Sequence, residues 1–243
     1  MDRLAGKIAL VTGGTRGIGA GIVRAFLSEG ATVAFSGTSS NSIDKANLGD
    51  AAGFVAELGD PHAPARLVDA VVKRFGGLDI LVNNAGVGSR ASEWELTPEE
   101  WDRVHAVNLR AVFFLAREAA KSMRERGGGS ILNISSIAGQ NGGIAGSPAY
   151  GSSKGAVITL TRSLARRFAP HRIRVNCLSP ADIETDMTAG WPQELRERLI
   201  AITPLARFGA VDEVTGAAVF FASDESTYVT GQTLSINGGA YMS

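Results

Sequence analysis

Short apolar runs alternate with amphipathic segments along nearly the whole chain. Ile8 to Thr12 is a β-rich run that ends at glycines. Gly17 to Glu29 carries Ile18, Ile22, Val23, Phe26 and Leu27 at spacings of three and four, which puts them on one helical stripe. Gly30 is placed to end that helix. Thr32 to Ser36 reads as a second strand, Phe54 to Leu58 as a third, Pro64 to Phe75 as a helix, and Ile80 to Val82 as a fourth strand. Pro98 opens a long helical stretch to Arg126, with a break near Asn108, and Gly127 to Gly129 stops it. Ser130 to Ile134, Ile173 to Leu178 and Gln232 to Ile236 are further strands, and Tyr150 to Phe168 and Val211 to Ala222 are helices. Continuous apolar strands alternating with helices predict an α/β fold with a parallel sheet covered on both faces. With no internal repeat, linker or low-complexity tract, residues 1–243 read as one domain.

Two stretches do not follow the pattern. Gly37 to Gly53 is rich in Ser, Asn, Gly and Asp and has no firm period. Ala181 to Thr203 holds Met187, Trp191, Pro192 and the charged run Glu194 to Arg198. It follows a strand end, where open α/β sheets bind ligands, so it reads as a mobile lid or as a plain surface helix pair.

Composition narrows the function. The 24 basic and 24 acidic residues cancel, which argues against a nucleic-acid partner. Hydrophobic residues make up 44%, enough for a large core. The single cysteine, Cys177, sits in an apolar run and reads as a buried small residue. His62, His105 and His171 are scattered, so no metal site is expected. Met1 to Gly6 does not read as a signal peptide, and no run approaches a membrane span. A cytoplasmic protein without membrane contact is the expectation.

The chemistry concentrates in three places. Thr12-Gly13-Gly14-Thr15-Arg16-Gly17-Ile18-Gly19 follows a strand and opens a helix. Glycines there let the backbone approach a pyrophosphate at a helix N-terminus. Three residues separate Gly13 from Gly17, unlike the commonest dinucleotide fingerprint. The second strand ends at Ser36-Gly37-Thr38-Ser39, with no carboxylate until Asp44. An acid there would hold a ribose 2′-hydroxyl; its absence, with Arg16 nearby, suits a 2′-phosphate and hence NADP(H). Tyr150 lies four residues before Lys154, one helical turn away on the same face. An ammonium beside a phenol is expected to lower the phenol's pKa. Ser135-Ser136 lies upstream.

These pieces, with Asn83-Asn84-Ala85-Gly86, Asn108 and Pro180 to Thr185, resemble the short-chain dehydrogenase/reductase family over nearly the whole chain. Ile183 to Met187, Phe221 to Glu225 and the ending Val229 to Gly239 are most similar to its 3-oxoacyl-(acyl-carrier-protein) reductases. The resemblance implies a Rossmann-like three-layer α/β/α fold, a seven-stranded sheet and a homotetramer. It implies Tyr150 as proton donor, Lys154 as its partner and ribose ligand, Ser136 on the substrate oxygen and Asn108 holding a water. Gly13, Thr15, Arg16, Gly17, Ile18, Gly19, Gly37, Thr38, Asn84, Ala85, Gly86, Pro180, Ile183 and Thr185, with Tyr150 and Lys154, would bind NADP(H). The implied reaction reduces a ketone, small or acyl-carrier-bound. A sugar, steroid or cyclic alcohol dehydrogenase and a non-catalytic dinucleotide-binding regulator are the alternatives. Carrier docking would use a basic patch near the site mouth, with Arg126 and Arg172 as candidate members.

Departures from the family pattern are specific. Ser136 and Tyr150 are fourteen positions apart, one more than the reductase spacing, which points to a longer Gly139 to Pro148 loop. Ala181 follows Pro180 where glycine is usual, and Glu57 stands where Asp or Asn usually meets adenine.

Overall fold

A computed structural model describes residues 2–89, 91–144 and 146–242. Ala145 of the Gly139 to Pro148 loop and the side chain of Met187 lie outside the described part. Seven strands form one sheet: β1 (Ile8–Val11), β2 (Thr32–Gly37), β3 (Ala52–Val55), β4 (Ile80–Asn83), β5 (Gly129–Ile134), β6 (Ile173–Pro180) and β7 (Thr233–Ile236). All pairs are parallel, in the order β3-β2-β1-β4-β5-β6-β7. The helices are α1 (Gly17–Ser28), α2 (Ser40–Ala46), α3 (Ala63–Phe75), α4 (Pro98–His105), α5 (Ala111–Glu125), α6 (Ala138–Asn141), α7 (Pro148–Phe168), α8 (Asp186–Ala189), α9 (Gln193–Ala201) and α10 (Val211–Ala222).

Alternation along the strands feeds two cores. Val11, Phe35, Val82 and Leu132 face α1 and α10, where Phe26 and Val214 are fully buried. Leu10, Leu81, Ile131 and Val175 face the layer of α3, α5 and α7, around Val71, Leu115 and Leu164. Each such large side chain contributes about 1.5–3 kcal/mol on leaving water. The chain returns from edge strand β3 to pair β4 beside β1, so the strand order reverses between β1 and β4. A crevice opens at that reversal, beyond the carboxyl ends of the strands.

Several elements differ from the sequence reading, most of them by a residue at one end. The third strand is Ala52–Val55, not Phe54 to Leu58, because pairing with Ala34 to Gly37 sets its register. As an edge strand it is half exposed, so it carries a weaker apolar signal than the buried central strands. The aperiodic stretch after β2 contains α2, started by a capping box between Ser39 and Ser42. Helix α7 begins at Pro148 rather than Tyr150, with Ser147 as its cap. Strand β6 runs on to Pro180. The break near Asn108 is a π-helical turn, Ala106–Arg110, between α4 and α5. Such turns insert an extra residue and re-aim side chains.

Candidate active site

The glycine loop joins β1 to α1. Gly13 and Gly17 adopt left-handed φ values of 62° and 54°. A Cβ on Gly19 would lie 2.3 Å from the Gly13 carbonyl oxygen and 2.4 Å from Asn84 Nδ2. Arg16 precedes α1 in an extended conformation and its side chain does not cap the helix. The first N–H groups of a twelve-residue helix are thus left to a ligand, at its positive end. A Cβ on Gly37 would lie 2.6 Å from Thr15 Cγ2, and one on Gly17 would lie 3.4 Å from Thr185 Cγ2. The loop, the end of β2 and the Thr185 segment therefore converge. This cradle, which side chains would fill, fits a pyrophosphate between two nucleotides. Arg16 and Thr38 are exposed at its β2 end, where they can reach a ligand.

Several predicted residues turn out to shape the cleft rather than face it. Asn84 donates both amide hydrogens inward, to the Thr12 carbonyl at 2.9 Å and the Gly13 carbonyl at 3.0 Å. Thr12 Oγ1 accepts from the N–H groups of Asn84 and Ala85, both at 3.1 Å. Ile18 packs against the core, and Ile183 is buried. Ile183 therefore offers a ligand only its main chain, while Ile18 is half-buried. The Pro180 carbonyl accepts from Ile137 N–H at 2.8 Å.

The second half of the cleft gathers Asn108, Ser136, Tyr150 and Lys154. Helix α7 carries the last two, one turn apart. Ser136 Oγ accepts from Ala138 N–H at 3.1 Å and lies near enough to the Tyr150 phenol to lower its pKa. Ser135 instead donates to the Lys154 carbonyl at 2.8 Å and is buried, so only Ser136 is presented to a substrate. Lys154 Nζ donates to the Ile134 carbonyl at 2.8 Å. A Cβ on Gly86 would lie 3.4 Å from both Lys154 Nζ and Asn108 Oδ1, so glycine keeps that floor open.

Electrostatics correct one expectation. Burial pushes the Tyr150 phenol above its ordinary 10.0, and the Ser136 hydrogen bond draws it partly back. The sequence reading had Lys154 lowering it. Instead the ammonium lies 5.8 Å from the tyrosine ring centroid, over the ring, and is bonded to backbone. Burial lowers Lys154 itself to about 8. Cys177 is buried and its thiol is raised to about 11, so it is no nucleophile at neutral pH.

Asn108 sits fully buried in the π-helical turn. Its Oδ1 accepts from Val87 N–H at 2.8 Å, and its Nδ2 donates to the Val87 carbonyl at 3.0 Å and to Ser153 Oγ at 3.1 Å. Both amide hydrogens are thus committed, and a water held here would have to use main chain or the remaining oxygen lone pair. Ser153 in turn donates to the Tyr150 carbonyl at 2.8 Å. Ser153, Ser147 and Thr12 were not singled out as site residues from sequence. Thr12 opens the glycine motif, and the signal at Ser147 and Ser153 was a hydroxyl one to three positions from Tyr150 or Lys154.

Arg126 and Arg172 are not at the site mouth. Arg126 forms an ion pair with Asp79, at 2.7 and 3.0 Å, and Arg172 immediately precedes β6. Both lie at the amino ends of the strands, opposite the cleft. The lid stretch is folded as α8 and α9. Arg196 ties it together through Glu184, the Thr188 carbonyl and the Phe208 ring, 4.5 Å away. Trp191 meets Phe208 edge-on at 6.2 Å.

No helix among the described residues is long and apolar enough to cross a membrane. Among the same residues no group of His, Cys, Asp and Glu could hold a metal ion.

A parallel sheet with this glycine cradle and a tyrosine–lysine turn facing it is the arrangement of a dinucleotide-fold oxidoreductase. A family model described as enoyl-(acyl carrier protein) reductase matches residues 13–241. The chain is 41% identical to a 3α-hydroxysteroid dehydrogenase of Mediterraneibacter gnavus, over 98% of both proteins. It is 39% identical to a 3-oxoacyl-(acyl-carrier-protein) reductase of Thermotoga maritima and 38% identical to that of Escherichia coli, again over 98% of each. A crystal structure described as a short-chain alcohol dehydrogenase of Sinorhizobium meliloti 1021 superposes with a TM-score of 0.93 at 35% identity, covering 98% of this chain and 97% of that one. The chain belongs to the short-chain dehydrogenase/reductase family, a family of oxidoreductases.

Proposed function

We propose that this chain is an NADPH-dependent reductase that converts a ketone, a 3-oxoacyl thioester, to a secondary alcohol. The observation that carries the reading is the meeting of Ser136, Tyr150 and Lys154 across the floor kept open by Gly86. The bound nicotinamide supplies the hydride. Ser136 and Tyr150 then share the substrate oxygen, where negative charge develops. A phenol kept protonated by burial is suited to give that oxygen its proton. Lys154, cationic below about pH 8, would hold the cofactor's ribose. Asn108 fixes Val87 and, through Ser153, the Tyr150 turn. Arg16 and the donors near Thr38 would hold the 2′-phosphate.

The whole chain acts as one domain in a cytoplasmic homotetramer, a reading that rests on likeness to the bacterial carrier-protein reductases. A second reading, oxidation of a ring alcohol, is favoured by the 41% identity to the hydroxysteroid dehydrogenase. A panel of acetoacetyl and longer 3-oxoacyl thioesters, cyclic ketones, hydroxysteroids and sugars, assayed with both cofactors, separates the two. Highest kcat/KM on a 3-oxoacyl thioester with NADPH is expected. A ring substrate that is preferred by a decade transfers the assignment to the second reading. Binding of cofactor without turnover of any of them would favour a regulator.

A further inference from the structure

The loop between Ser136 and Tyr150 begins with α6, a helix of only four residues. So short a helix has no stability of its own and takes its position from tertiary contacts. On one side it lies against α7. A Cβ on Gly139 would be 2.6 Å from the Lys154 carbonyl carbon, and one on Gly151 would be 2.8 Å from the Gly142 oxygen. On the other side Gln140 reaches back across the sheet. Its Oε1 accepts from Ser179 Oγ at 2.7 Å, and its Nε2 donates to Ser235 Oγ at 3.1 Å. The partners belong to β6 and β7, far along the chain. Asn141, its neighbour in α6, bonds only locally, to Gly143 N–H at 2.9 Å.

We propose that Gln140 is a positioning residue that sets the separation of Ser136 from Tyr150. It draws α6 toward the sheet, while glycine contacts hold α6 against the helix that carries Tyr150 and Lys154. Ser136 begins that turn and its Oγ receives the Ala138 N–H, so the hydroxyl moves with α6. Strand β7 supports the other wall as well. The Ile236 carbonyl accepts from Ala181 N–H at 3.0 Å, and the Gly238 carbonyl from Leu205 N–H at 3.1 Å. Gln140 thereby references the serine to the same strand that holds Ala181, where the lid begins.

The role rests on the proposed reaction for its kinetic consequence, and on geometry alone for the rest. The test therefore has two arms on the full chain. In the first, Gln140→Leu lowers kcat about tenfold, the effect of one lost buried anchor, with KM for NADPH unchanged. Gln140→Glu, whose carboxylate accepts from both serine hydroxyls, restores most of it. In a Ser136→Ala background Gln140→Leu has little further effect, because the group it positions is gone. In the second arm, hydrogen exchange at the amides of Ile137, Ala138 and Gly139 speeds up in Gln140→Leu, while protection of β5 and β6 stays as in the parent. Losses that add fully in the double variant, or unchanged exchange across 137–139, overturn the proposal. Should Gln140→Leu fail to fold, the double variant Ser179→Ala, Ser235→Ala removes both bonds from the other side and is read the same way. If the parent turns over no ketone of the panel, the proposed reaction falls, and the exchange arm alone decides Gln140.

Discussion

Lys154 Nζ donates a 2.8 Å hydrogen bond to the carbonyl of Ile134, the last residue of β5. One bond thus ties the strand that delivers Ser136 to the helix that carries Tyr150. It also holds a cation in the interior, with only 4% of the residue exposed.

That burial has a stability signature. The folded lysine titrates at about 8 against an ordinary 10.5. Below pH 8 both folded and unfolded chains are charged, and the folded chain bears the full cost, on the order of 3 kcal/mol. Between about 8 and 10.5 the unfolded chain holds more protons, so this contribution to stability rises with pH and the cost is gone above 10.5. Lys154→Met, relative to the parent, is therefore expected to be more favourable at pH 7 than at pH 10.5 by roughly 3 kcal/mol in urea unfolding. An identical difference at both pH values would show that the lysine is neutral or well solvated.

Tyr150→Phe should remove the proton donor and little else. The ring remains, and the main-chain bonds of α7 do not involve the hydroxyl. A loss of about 10²–10⁴-fold in kcat is expected, the usual worth of general acid catalysis, with NADPH affinity retained. Stopped-flow turnover and cofactor fluorescence titration measure the two separately. Near-normal reduction by the variant would take Tyr150 out of the reaction.

Cofactor choice is predicted to rest on Arg16. A guanidinium on a 2′-phosphate contributes about 1.5–3 kcal/mol, or about one to two decades of preference. Arg16→Ala should bring kcat/KM for NADPH down toward that for NADH while leaving the NADH value nearly fixed. Equal or better use of NADH by the parent chain would sink this reading of the β2 end.

The lid is expected to tighten when NADPH and a substrate analogue bind together, which would exclude water from the reacting atoms. Trp191, edge-on to Phe208, supplies the reporter. Its emission should shift in the ternary complex and hydrogen exchange across α8 and α9 should slow. Exchange that is already slow without ligand and unaltered by it would make the segment a fixed wall.

Replacing Gly19 by alanine is expected to damage cofactor binding more than turnover chemistry. Its Cβ would stand 2.3 Å from the Gly13 oxygen and 2.4 Å from Asn84 Nδ2, so the loop must open. Isothermal titration with NADPH should show at least a tenfold weaker Kd, with thermal unfolding shifted only modestly. An unchanged Kd would mean the loop yields without harming its ligand.

The sequence by itself determined the alternation of strands and helices, the parallel sheet and the local motifs from which the candidate site is read. The strand Ile8–Val11 is apolar on both faces, Ile80–Asn83 is apolar up to its final asparagine, and the glycine string and Tyr150–Lys154 turn are local patterns of fixed spacing. Local spacing is readable because neighbours in sequence stay neighbours in a helix or turn. What only the tertiary structure decided involves residues far apart. Strand β3 took its register from β2, and Ser135 was distinguished from Ser136 by the Lys154 carbonyl. Arg126 was claimed by Asp79 at the wrong end of the sheet, and Asn84 and Asn108 were spent on the backbone of Thr12, Gly13 and Val87. Tyr150 and Lys154 met as their spacing foretold, yet the sign of the phenol's pKa shift came from burial. Burial is a property of everything that surrounds a group, and no spacing within one helix encodes it.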